Sequence, residues 1–330
     1  MIRCININEL NYSISEQIDL FICSSSYEDR CFSAASRLPK EKIKNTIICA
    51  NRDYDEHISE NLSVLVDFFA DNYLIADVFT SNPIQTADNI EGLIDVLLTS
   101  YSIYNILVDI TTFTHEILLI LMAILSNKYP TLHVTCCYVN AVEYSNDQAN
   151  QKDKWLSRGV GDVRAILGYA GTIKPSLQTH LIMIVGYEHE RASKIIEILE
   201  PDSLSLGYGL ASDATTEKNR GANAQYKDLV KQMYAFYDDI SDFNIPCSNP
   251  YEACKSIVDE IERIGIEKNI ILVPMNNKIS TLGAALAYGL KNDIQLCYAP
   301  ALVYNYASYS VPGNKCYIFD WSIEWQQIIG

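Results

Sequence analysis

Residues 105–125, NILVDITTFTHEILLILMAIL, constrain the fold of this chain more than any other stretch. Ile106, Leu107 and Val108 form a short apolar run closed by Asp109, the pattern of a strand buried on both faces of a sheet. Thr111, Thr112 and Thr114 crowd the turn that follows, and from Glu116 the apolar residues continue as they do in a helix packed on a sheet. A buried strand, a hydroxyl-rich turn and a helix together aim hydroxyls and helix N–H groups at one spot beyond the carboxyl end of the strand. Such a spot suits a phosphate or a nucleotide.

The flanking chain extends the pattern. Residues 20–23, 46–49, 75–79 and 133–139 read as further strands, and the loose alternation of Ile5, Ile7, Leu10, Tyr12 and Ile14 suggests an edge strand. Helices are expected from the turn after Ser24 to Leu38, over 57–69 with Ile58, Leu62, Leu65 and Val66 on one face, and from a Thr86 cap to Leu98. Strands alternating with helices predict a parallel, doubly wound sheet.

Beyond residue 181 the same plan returns, down to particular turns. Tyr187-Glu188-His189-Glu190-Arg191 parallels Tyr27-Glu28-Asp29-Arg30, and Ser248-Asn249-Pro250 parallels Ser81-Asn82-Pro83. A strand over 269–273 leads to Asn276-Asn277-Lys278 as 105–108 leads to Thr111-Thr112, and a final strand over 297–304 matches 137–144. The offsets are near-constant: 187 − 27 = 160, 248 − 81 = 167, 273 − 108 = 165 and 297 − 137 = 160. The expectation is an α/β chain of two tandem Rossmann-like doubly wound domains, 1–150 and 180–330, joined by a connector over 151–179 in which 163–167 adds a strand. A polar, glycine-containing segment within 208–238 reads as a flap over the site or as an ordinary surface loop.

Charge narrows the partners. With 25 basic and 41 acidic residues the net charge is −16, which disfavours extended nucleic acid and anionic lipid but leaves room for a small anionic ligand held by local donors. The ten cysteines contain no C-x2-C pair and several lie in apolar runs, so buried reduced thiols in a cytoplasmic protein are expected. No His/Asp/Glu cluster has metal spacing, neither a G-x-G-x-x-G nor a Walker G-x4-G-K-[ST] motif is present, and no cofactor is implied. No apolar run approaches about 18 residues and no signal segment is read, so no membrane association is expected.

The ligand crevice of a doubly wound sheet lies beyond the carboxyl ends of its strands. Those ends carry Ser24, Ser25, Ser26, Glu28 and Arg30; Asp109, Thr111, Thr112 and His115; Glu188 and Arg191; and Asn276, Asn277, Lys278 and Ser280. Hydroxyls, amides, two arginines and a lysine suit a ligand with phosphates and hydrogen-bonding base edges. Glu28 and Glu188 either accept from a ribose or base, or pair with Arg30 and Arg191 to hold the turns. Asp109 is either a site carboxylate or a brace of its own turn, and His115 either a general base beside Asp109 or Glu116 or a structural residue. Arg52 and His57 have the R-x4-H spacing of some ribonucleases, but they follow a sheet strand and the spacing is read as coincidence.

A Rossmann-like domain with a strand, the turn Asp109-Ile110-Thr111-Thr112 and a helix resembles the CARF domains that sense cyclic oligonucleotides, and two such units in one chain resemble SAVED domains of bacterial antiviral signalling. The chain departs from that pattern where Phe113-Thr114 replace the Gly and basic residue that often follow the Thr; only the second half supplies a lysine, Lys278. The resemblance implies a nucleotide-type ligand and a free-standing sensor, a subunit acting through a partner or effector protein, or an enzyme that degrades the signal. The alternatives are a nucleotide hydrolase or phosphodiesterase using the Asp109–His115 turn, and a non-catalytic structural subunit of a protein complex.

Overall fold

A computed structural model describes residues 2–144, 155–213, 222–235, 237, 239–265, 267–306 and 309–329. Residues 145–154, the last of which open the expected connector, and the part of the expected flap at 214–221 lie outside them. The chain divides into two compact units, Met1–Asn146 with Tyr306–Gln326, and Asp147–Asn305 with Gln327–Gly330.

The first unit begins with β1 (Arg3–Asn6), α1 (Leu10–Ser13), β2 (Ile18–Ser24), β3 (Ile43–Asn51), α2 (Asp55–Phe69) and β4 (Tyr73–Val78). It continues with α3 (Pro83–Ser100), β5 (Asn105–Asp109), α4 (His115–Asn127) and β6 (His133–Tyr144). Strands β4, β3, β2, β5 and β6 lie side by side in that order and pair in parallel, as the alternation of strands and helices predicts. On one face, Phe21, Ile48 and Leu107 of the sheet pack with Leu65 and Phe69 of α2. Helix α4 is buried along almost its whole length, which explains why apolar residues run round it rather than down one side.

Two expected helical features differ. Residues 29–38 wind as short 3-10 turns over Asp29–Phe32 and Ala35–Arg37, because Arg30 turns inward and bonds of the i→i+3 type, such as Ser33 N–H to the Arg30 carbonyl at 3.0 Å, close each turn. Thr86 does not cap α3. Asn82 does, accepting from Gln85 N–H at 3.2 Å with Pro83 at the first helical position, whereas the Thr86 hydroxyl bonds both backbone groups of Phe79.

The second unit holds β7 (Ser157–Arg158), β8 (Arg164–Ala165), β9 (Gln178–Val185), α5 (His189–Leu199), β10 (Ser203–Gly209) and α6 (Ala222–Met233). It continues through β11 (Ile240–Ile245), α7 (Pro250–Ile264), β12 (Lys268–Pro274), α8 (Lys278–Leu290), β13 (Gln295–Tyr298) and β14 (Val303–Tyr304). Its sheet runs β11, β10, β9, β12, β13 and then β8, the last antiparallel. Numbered along the chain, the five parallel strands of each unit follow the spatial order third, second, first, fourth, fifth. The expected strand over 297–304 is interrupted: β13 stops at Tyr298, Pro300 lacks the N–H a ladder needs, and β14 pairs with β7 instead.

The chain then supplies β15 (Ser310–Asp320) and α9 (Trp321–Ile329). These residues fall within the range read from sequence as the second domain, yet β15 pairs antiparallel with β6, and β1 pairs antiparallel with β15. Among the described residues the first sheet therefore has seven strands, mixed at one side. Trp321 closes over α4, its indole N–H donating to the Ser126 hydroxyl at 2.8 Å.

Candidate functional site

In the first unit the strand order reverses between β2 and β5, and the carboxyl ends of those strands carry Ser24 and Asp109. Here the sequence-derived candidates do come together, but most are occupied with one another. The Ser25 N–H donates to the Cys49 carbonyl at 3.0 Å, Ser26 Oγ accepts from Glu28 N–H at 3.2 Å, and the Thr112 hydroxyl donates to the Ser24 carbonyl at 2.9 Å. Ser24 turns its own hydroxyl onto the Ser25 carbonyl at 3.1 Å.

Arg30 is 2 % exposed. Its Nη2 lies 2.6 Å from Glu28 Oε2, its Nη1 donates to the Val139 carbonyl at 3.2 Å, and its Nε reaches the Ser310 hydroxyl at 3.0 Å. The Tyr144 ring lies under the guanidinium at 5.5 Å. Of the two roles open to Glu28 in the sequence, the geometry shows the pairing that holds the turn.

Asp109, also 2 % exposed, accepts from Thr111 N–H at 3.1 Å and from the Thr111 hydroxyl, and that hydroxyl oxygen accepts in turn from Val139 N–H at 3.0 Å. Burial pushes the Asp109 carboxyl up to about 6, against the lowering pull of the Thr111 bonds and of Arg30. Thr114 caps α4 through Ile117 N–H at 3.4 Å, and His115 follows it, largely buried at the first position of the helix.

The second unit brings its candidates together in the same manner. Arg191 Nη1 lies 2.9 Å from Glu188 Oε2, its Nε donates to the Ala299 carbonyl at 3.0 Å, and its guanidinium sits 5.0 Å over the Tyr298 ring. Asn276 donates to the Val185 carbonyl at 2.8 Å, Asn277 caps α8 by accepting from Ser280 N–H at 2.9 Å, and the buried Ser280 hydroxyl returns to the Asn277 carbonyl. Lys278 is the first residue of α8 and half-buried. Each unit thus spends one arginine and one glutamate on tying the turn after its first parallel strand to a carbonyl of its fifth or of the residue that follows it.

What the sequence reading missed is aromatic. At the rim of the first unit, His57 of α2 stacks on Tyr306 with ring centres 3.5 Å apart and planes 12° from parallel. Tyr27 meets Tyr306 edge-on at 5.0 Å and Tyr309 at 5.5 Å, Tyr54 lies 6.4 Å from Tyr306, and Tyr144 lies 6.4 Å from Tyr309. The signal was present in the 22 tyrosines and their crowding at 298, 304, 306 and 309, but those positions carry no period that identifies a common surface. The rim is braced beneath: Asn51 donates to the Thr80 hydroxyl at 2.8 Å, Asp53 accepts from both the hydroxyl and the N–H of Ser81 at 2.8 Å, and Arg52 pairs with Asp77 at 2.6 Å and with Asp55 at 2.7 Å.

Fold and site together define an α/β protein of Rossmann-like architecture, whose parallel strands lead to an aromatic rim in the first unit. Compared with models of known protein families and with curated proteins, the chain matches none. Among the described residues no helix is long and apolar enough to cross a membrane, and no group of His, Cys, Asp or Glu is placed to hold a metal ion.

Proposed function

We propose that the chain is a nucleotide-binding sensor or regulatory subunit whose ligand stacks its base on the aromatic rim of the first unit. The observation that carries this reading is the set of rings Tyr27, Tyr54, His57, Tyr306 and Tyr309, gathered beside the turn that leaves β2. Doubly wound sheets take ligands beyond the carboxyl ends of their strands at the reversal of strand order, and a base stacked on an aromatic ring gains about 1–3 kcal/mol. Arg30 and Arg191 hold turns in this reading, so recognition rests on the base more than on phosphate. The net charge of −16 favours a small ligand over a nucleic-acid strand.

The resemblance of the Asp109-Ile110-Thr111-Thr112 turn to CARF and SAVED domains makes cyclic oligonucleotides the first ligand class to try, in bacterial antiphage signalling within the cytoplasm and through a partner or effector protein. Isothermal titration of the full chain with cyclic oligoadenylates and with mononucleotides tests the reading. Saturable binding is expected, weakened about tenfold by Tyr306→Ala or His57→Ala at unchanged circular dichroism. Absence of binding by any of these nucleotides to the wild-type protein would sink it.

A further inference from the structure

The far end of the first sheet holds a second feature that nucleotide stacking does not use. A cavity of about 220 Å³ opens at the amino ends of β5 and β6, where the antiparallel β15 ends. Asn105 and His133 are the first residues of their strands, Asp320 is the last of β15, and the chain from Ser13 to Ile18 forms the remaining wall with Arg3. By volume it would hold roughly seven waters of liquid, less than the ~300–1,000 Å³ of pockets for drug-sized ligands, so a small metabolite is the matching size.

The lining has a definite polarity. His133 is committed to the protein: its Nε2 lies 2.5 Å from Asp320 Oδ2 and its Nδ1 lies 3.2 Å from Asn105 Oδ1. Asp320 uses its other oxygen to accept from Ile323 N–H at 3.0 Å. Arg3 spends one nitrogen on the Ser13 carbonyl at 2.9 Å, and among the described residues the rest of its guanidinium, the Glu16 carboxylate and the Thr135 hydroxyl have no partner. With His133 and Asp320 hydrogen-bonded to each other, Arg3 and Glu16 remain as a cation and an anion among the residues that line the cavity. A net-neutral molecule with separated charges complements that pair, whereas a simple anion or cation leaves one of the two charges opposed.

We infer that this cavity is a binding site for a small zwitterion of the α-amino-acid class, its carboxylate held by Arg3 and its ammonium by Glu16, with Thr135 as a further hydrogen-bonding group. A ligand bridging Arg3 and Glu16 fastens the segment before β2 to the amino edge of the sheet.

Calorimetric titration of the full chain with each of the proteinogenic amino acids, followed by the same titrations on Arg3→Met and Glu16→Gln, tests the inference. Both residues are exposed, so neither substitution removes core packing. Saturable binding of at least one amino acid is expected, weakened about tenfold or more in each variant, with circular dichroism and thermal midpoint of the unliganded protein unchanged. Failure of every amino acid to bind the wild-type protein, or binding that persists unchanged in the double variant, would overturn it. Binding of the carboxylate alone, with acetate as effective as any amino acid, would also overturn the zwitterion assignment. Tyr306→Ala leaves this site untouched, so the outcome is independent of nucleotide binding at the opposite edge.

Discussion

Two buried titratable residues, one in each unit, contribute to stability in opposite directions as pH falls. Asp109 holds its proton up to about pH 6 in the folded protein, whereas an unfolded aspartate releases it near 3.8. Between those values this residue binds more protons in the folded state, so its contribution to the stability of the first unit rises as pH falls from about 6 to about 4 and is a cost on the order of 3 kcal/mol at neutral pH. His180, 1 % exposed, lies between the Ser203 hydroxyl at 2.6 Å and the Ser205 hydroxyl at 2.7 Å. Burial, aided by the Lys268 charge, holds its imidazole down at about 4, below the 6.5 of an exposed histidine. Here the unfolded state binds more protons, so the contribution of His180 falls by a similar amount as pH falls from about 6.5 to about 4. Hydrogen exchange, corrected for intrinsic rates, should show β5 better protected and β9 less protected at pH 4.5 than at pH 7, and Asp109→Asn should abolish the gain in β5. A common direction of change in both strands would contradict these assignments. Glu28 and Arg30 form a buried pair whose disruption leaves one charge buried, a loss of about 3–5 kcal/mol, and burial pushes the Cys49 thiol up to about 12, which keeps it protonated and unreactive.

At the scale of elements, the turns were more legible than the helices beside them. Ser81-Asn82-Pro83 and Ser248-Asn249-Pro250 both become an asparagine cap followed by proline, because proline's missing N–H costs nothing in the first turn. The winding after β2 was misread because Cys31, Ala34, Ala35 and Leu38 have an apolar pattern that also fits a helix, and only the inward path of Arg30 distinguishes the two. Close packing of α7 on α8 depends on a position whose sequence gives no warning. A Cβ at Gly283 would lie 2.6 Å from the Ala253 Cβ and 2.9 Å from the Pro250 carbonyl oxygen. Gly283→Ala should therefore destabilise the second unit by about 1–3 kcal/mol despite the better helix propensity of alanine, read as a lower urea midpoint. A variant as stable as the parent would show that α7 shifts freely.

At the scale of the molecule, the chain crosses back after Asn305 to complete the sheet it began. β15 covers the edge of β6, supplies Ser310 to the Arg30–Glu28 pair and leads to Trp321 over α4. Ending the chain at Asn305 should expose the β6 edge and the apolar surface of α4. Proteolysis and hydrogen exchange should then find β5, β6 and α4 open while β9, β10 and β12 stay protected. Equal protection of the first unit with and without the final segment would mean that β15 is dispensable.

The sequence by itself determined the alternation of strand and helix, the parallel core of each sheet and the positions of the turns at the strand ends, because these follow from local hydrophobic period and turn chemistry. It also exposed the choice between ligand contact and turn bracing at Glu28 and Glu188. Tertiary structure alone decided that choice, since the carbonyls of Val139 and Ala299 that satisfy the two arginines lie more than a hundred residues away. Long-range pairing likewise placed β15 in the first sheet and gathered Tyr27, Tyr54, His57, Tyr306 and Tyr309 at one rim, for contacts between distant segments leave no period in the chain that makes them.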